Sequence, residues 1–332
     1  MTQPTHRPCS DCDAPRSRRD FLRTAGGIAL AGAAGSLLVP RAGLFAAPSP
    51  TSAAETAVGR FYTSLSAEQR AAICFPFSAP DRQKINANWH ITKPVIGDDF
   101  YSAEQRATIT EIVKGITSED GYERLVKQME YDDGGLNFYS VAVFGEPGNG
   151  QSEFELTGRH LTLRADGNTV DQAAFGGPIV YGHGEEDPAE NLYHYQTKAT
   201  DEVFRALSAA QAQQALIEKA PQESAVAIQG ATGTFPGIAV SELTSDQREL
   251  VSNTLKTLLA PYRQEDIDEV MAILKASGGV ESLHMAFYKQ EDLKQDNVWD
   301  IWRIEGPSFV WHFRGAPHVH AYINIGGATR PA

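Results

Sequence analysis

Ser102-Ala103-Glu104-Gln105-Arg106 reads as the start of a helix, and Thr244-Ser245-Asp246-Gln247-Arg248 repeats it 142 residues later. In each, a Ser or Thr caps the first turn and the Gln three residues on reaches back to it. Leu65-Ser66-Ala67-Glu68-Gln69 and Leu207-Ser208-Ala209-Ala210-Gln211 form a second pair at the same offset. Capping boxes are common singly, but two pairs at one offset point to a duplicated chain.

The flanking sequence agrees. Ile109, Ile112, Val113 and Ile116 have helical spacing after the first box, and Val251, Leu255 and Leu258 fall at the corresponding places after the second. A further helix follows in each half, through Tyr122, Leu125, Val126 and Met129, then through Ile267, Val270, Met271 and Leu274. Gly134-Gly135 and Gly278-Gly279 stop these helices, as a left-handed C-cap requires. Strand-like segments come next: 136–144 and 153–164 in the first half, 281–288 and 298–313 in the second. Gly158 and Gly306 mark a turn or kink. The pattern predicts an α+β fold of two pseudo-repeated halves, each a helix hairpin plus antiparallel strands, sharing a sheet or cleft. The first repeat is expected over 55–165 and the second over 200–326. Between them, 166–199 is a Gly/Pro/acidic connection, and 221–242 is a second long irregular stretch. Loops of this length are uncommon unless functional or disordered, so one or both are expected to line a cleft.

Residues 1–53 read as a signal peptide and spacer. Ser17-Arg18-Arg19-Asp20-Phe21-Leu22-Arg23 resembles the twin-arginine export motif and precedes a Gly/Ala-rich apolar run from Thr24 to Val39. That run is short for a membrane anchor, which needs about 20 apolar residues. Cleavage after Ala47, or within Thr51 to Ala54, would leave a periplasmic or extracellular protein without a stable anchor. The segment carries six Arg and three Asp, so its removal takes the net charge from −13 to −16. An acidic body argues against nucleic acid, which needs Lys and Arg to neutralise phosphates. A small molecule or an envelope component is the expected partner. Cys9 and Cys12 leave with the signal, and Cys74, in Ile73-Cys74-Phe75, reads as a small apolar residue.

Chemistry is concentrated in histidines. In Pro317-His318-Val319-His320-Ala321-Tyr322-Ile323-Asn324-Ile325 the apolar residues alternate, as in a strand, so His318 and His320 share a face with Tyr322 and Asn324. His160, in Gly158-Arg159-His160-Leu161-Thr162-Leu163, is placed on another strand. Together the three imidazoles form a candidate site for a transition metal, suited to zinc, copper or iron. The other reading of the same residues is ordinary strand histidines bonded to backbone or carboxylates. His312 reads as a packed core residue; His90 and His183 could reach a cleft. Glu155, Glu305 and Asp300 are strand carboxylates expected on a solvated face, and Arg82, Arg159 and Arg314 could clamp an anion or pair with acids. H-E-x-x-H, G-x-S-x-G, Walker and Rossmann motifs are absent.

The order Leu65-Ser-x-x-Gln, Phe75-Pro76-Phe77, Arg82, Trp89, Tyr139-Ser140-Val141-x-Val143-Phe144-Gly145, Gly158-x-His160-Leu161-Thr162-Leu163, Ile304-x-Gly306-Pro307-x-Phe309 and His318-Val319-His320 resembles the domain-of-unknown-function family numbered 3500. These are mostly exported bacterial proteins. The family commonly carries two histidines where this chain has Arg159-His160, and a longer turn before H-x-H than Arg314-Gly315-Ala316-Pro317. The resemblance implies no reaction; it implies only that His160, His318 and His320 stand at motif positions. The sequence therefore supports an exported protein of unassigned activity, read as a metal-dependent hydrolase or oxidoreductase. The alternative is a non-catalytic periplasmic ligand-binding module. Catalytic residues are not assignable from sequence.

Overall fold

The computed structural model describes residues 47–327; the twin-arginine run and Cys9/Cys12 lie outside them. In chain order the elements are α1 (Ala53–Ser64), α2 (Ala67–Ile73), β1 (Cys74–Phe75), α3 (Ala103–Gly115), α4 (Glu119–Asp133), β2 (Ser140–Gly145), β3 (Ser152–Gly158), β4 (Leu161–Ala165) and β5 (Ile179–His183). Then come α5 (His194–Arg205), α6 (Ala209–Ala215), β6 (Leu216–Ile217), β7 (Ile238–Ala239), α7 (Ser245–Leu259), α8 (Gln264–Ala276), β8 (His284–Tyr288), β9 (Ile301–Gly306), β10 (Phe309–Arg314) and β11 (Val319–Ile325). The described residues thus hold eight α-helices and one mixed sheet of 11 strands.

All four boxes cap helices as the spacing requires: Ser66 with Gln69, Ser102 with Gln105, Ser208 with Gln211, and Thr244 with Gln247. Their glutamines also pair across helices. Gln69 and Gln105 exchange side-chain amide bonds at 2.9 and 3.0 Å, and Gln211 and Gln247 at 3.1 and 2.9 Å. Gly134, at φ 81°, ends α4 in the left-handed conformation that a Cβ disfavours.

The sheet runs β1-β2-β3-β4-β5-β11-β10-β9-β8-β6, with β7 also on β8. The two-residue edge strands β1 and β6 pair in parallel with β2 and β8; the other neighbours are antiparallel. Two expectations need correction. The stretch 166–199, read as irregular, contains β5, which joins the two runs of strands through β11. It also contains the first turns of α5. Glu155, Glu305 and Asp300 are not on a solvated face: all three are buried.

Alternation explains both results. One face of the sheet presents Val141, Leu156, Leu163, Ile179, Ile323, Trp311 and Ile304 to the helices and forms the main core. The opposite face carries Glu155, Arg164, Arg303, Glu305, His312 and His320, and two long loops cover it. Buried charges there need partners. Arg164 bonds Glu153 at 2.5 Å and Glu155 at 3.2 Å, and donates to the carbonyls of Arg82, Lys84 and Pro178. Arg82 bonds Glu153 at 2.8 Å. Arg303 bonds Glu305 at 2.6 Å and donates to Ala225 O, while Gln229 donates to Glu305. These bonds fasten the loops down. No helix among the described residues is long and apolar enough to cross a membrane.

Candidate metal centre

The sheet brings three histidines to one end of its loop-covered side. His160 is not within a strand, as expected, but in the two-residue turn between β3 and β4, at φ 56°. Left-handed backbone at a non-glycine residue is held there by its surroundings. His160 N donates to Ala87 O at 2.5 Å, and Gln128 Nε2 donates to His160 O at 3.0 Å. His318 lies just before β11 and His320 on it, opposite Gly182 of β5 and Arg314 of β10. Gly182 makes the approach possible, because a Cβ there would stand 2.3 Å from Val319 O and 3.2 Å from His160 Cβ.

The ring centroids of His160, His318 and His320 are 4.8 to 5.0 Å apart. One nitrogen from each lies within 4.8 Å of the others, so the group could hold a metal ion. Nitrogens bound at about 2.1 Å to a tetrahedral ion stand about 3.4 Å apart. His318 Nε2 and His320 Nε2 are already 3.1 Å apart; small side-chain rotations would close the widest gap.

Two carboxylates orient the rings, and neither was singled out in the sequence. Asp132 Oδ2 accepts from His160 Nδ1 at 2.8 Å, and Glu223 Oε1 accepts from His320 Nδ1 at 3.1 Å. Each bond fixes the Nδ1–H tautomer and leaves the Nε2 lone pair free for a ligand. Asp132 Oδ1 in turn accepts from Gly184 N at 2.8 Å. Asp132 was detectable: it continues the buried stripe Leu125, Gln128, Met129 of α4, where a lone carboxylate needs a reason. Glu223 sits in the irregular part of the 221–242 stretch, ahead of β7, where no periodicity marks it.

Burial, the neighbouring His320 and Arg314 push the His318 ring down to about 4, and burial lowers His320 despite Glu223. His318 and His320 are therefore held neutral, the form that ligates. Arg314 Nη2 stands 3.4 Å from His318 Nε2, and its Nε 3.3 Å from Glu223 Oε2.

The other candidates are placed elsewhere. His312 is buried on β10 among Arg303 and Tyr288, with burial driving its ring down to about 3. His90 is exposed. His183 packs its ring 4.6 Å from Tyr131, and its Nδ1 accepts from Leu192 N. Arg82 pairs with Glu153, and Arg159 is exposed beside the His160 turn.

Comparison with known proteins gives one result. No curated protein and no solved structure matches the chain. The model of one family, described as "Protein of unknown function (DUF3500)", matches residues 47–324. That match spans more than half of the sequence and includes all three histidines, and the chain belongs to the DUF3500 family.

Proposed function

We propose that the protein is an exported metal-dependent enzyme whose ion is held by His160, His318 and His320. The observation that carries this reading is the convergence of three imidazole nitrogens, two of the rings being backed by buried or half-buried carboxylates. His160, His318 and His320 would hold the ion and leave it an open position, and the metal would supply Lewis-acid activation of water for hydrolysis at carbonyl or phosphoryl centres. Hydrolysis is the reaction this ligand set serves most directly. Copper or iron in the site would make the same centre an oxidoreductase.

Two wider readings support it. The order of strands outward from the β5–β11 pair, the parallel edge strand at each end and the twice-repeated glutamine exchange suit two duplicated halves around a pseudo-two-fold axis. The twin-arginine-like run Ser17 to Arg23 and the apolar stretch after it support export to a periplasmic or extracellular location.

The test is elemental analysis of protein recovered from its own export route. About one transition-metal ion per chain is expected, lost in the double variant His318→Ala/His320→Ala, whose side chains are half-buried. Full metal occupancy in that variant overturns the ligand assignment. Hydrolysis of an activated ester should stop with a chelator and return with the metal.

A further inference from the structure

The guanidinium of Arg314 is the odd member of a cluster built to hold a cation. It ends β10, cross-strand from His320, with its side chain only 23% exposed. Its hydrogen bonding is poor. Nη2 reaches His318 O and His318 Nε2 only at 3.4 Å. Nε is buried and only ion-pairs with Glu223 Oε2 at 3.3 Å, without hydrogen-bond geometry. A guanidinium bonded this loosely keeps donor capacity for a further acceptor, and planar forks of this kind match carboxylate and phosphate oxygens.

Charge counting gives the same answer. The carboxylates of Asp132 and Glu223 outnumber the Arg314 guanidinium by one, which attracts a cation. A divalent ion reverses the balance to one positive charge, which attracts an anion. Exposed Arg159, beside the His160 turn, adds to that field.

We infer that the substrate of this centre carries an anionic oxygen, a carboxylate or phosphate, that bridges the ion and Arg314. The inference rests on the metal reading above and names the class of ligand that the open position takes.

The experiment uses the full chain stripped with chelator and reloaded with one equivalent of cobalt(II), whose visible spectrum reports the coordination sphere. Acetate and inorganic phosphate are the probes. Both are expected to shift the wild-type bands at millimolar concentration. Arg314→Met and Arg314→Gln should keep cobalt and bind the anions about 10- to 100-fold more weakly, the size of a lost charge-assisted bond. Arg314→Lys should recover part of the loss. Undiminished anion binding in either cobalt-loaded neutral variant overturns the inference and leaves the metal reading standing. Loss of cobalt from both neutral variants also overturns it, since Arg314 would then serve the ligands instead of an anion. A wild-type chain that takes up no cobalt removes the metal reading, and this inference with it.

Discussion

Asp132 and Glu223 touch no candidate ion, yet each fixes the ring that would. Asp132→Asn keeps shape but weakens the bond to His160 Nδ1, and Glu223→Gln does the same for His320. Each change should reduce metal affinity by roughly 10- to 100-fold with the fold intact, measured by competition with a chromophoric chelator. Unchanged affinity in both would deny the carboxylates an orienting role. His160 tests the backbone. His160→Asn retains a residue that tolerates positive φ and can donate to Asp132, so the metal-free variant should stay within about 1 kcal/mol of the parent while losing the ion. His318 and His320 were legible in the sequence because alternation puts them side by side. Pairing them with His160 was a statement about fold, and its strand placement was wrong because Gly158-Arg159-His160-Leu161 looks strand-like on both sides of a two-residue turn.

Helices were more legible than strands, and the reason is length. A capping box followed by several turns of periodic apolar residues overdetermines a helix, as in α3 and α7. Strand β5 has five residues, one of them Gly182, between Gly177-Pro178 and Gly184, so its neighbours marked it as loop. The edge strands β1 and β6 have two residues each, too few for any period. The glutamine exchange between helices was invisible too, because a capping box predicts only its own turn. That exchange has a measurable cost. Gln105 is nearly buried and serves Ser102 N, Ser64 O and Gln69, while Gln247 serves Thr244 N, Ala206 O and Gln211. Gln105→Ala and Gln247→Ala should each destabilise by about 1–3 kcal/mol in urea unfolding, since each leaves buried backbone and amide groups unpaired. A much smaller loss at one site would show that its exchange contributes little.

Over the whole molecule, buried acids tie the first helix to the second half. Arg263, at the start of α8, makes a two-pronged bond to Glu55 of α1 at 2.8 Å and bonds Asp266 at 3.0 Å. Glu269 and Asp166 lie in the same field. Burial pushes Asp166 up to about 6, Asp266 up to about 7 despite Arg263, and Glu269 up to about 8 with Asp166 and Asp266 adding. A carboxyl raised on folding binds more protons in the native chain than in the unfolded one. Stability present below its unfolded value, about 4, is therefore lost as pH rises through the folded value. For this cluster the loss falls between about pH 4 and 8. His312 works in the opposite sense: its ring, lowered to about 3, binds fewer protons when folded, so stability falls as pH drops below about 6.5. Between about pH 4 and 6 the three carboxyls outweigh the one imidazole, so the stability these four groups contribute declines as pH rises toward 8. Glu269→Gln replaces a proton-dependent group with a neutral one of the same size. It should raise the melting temperature at pH 8, change it little at pH 5, and flatten the curve between. A variant whose decline parallels the parent's would show that Glu269 does not titrate in that window.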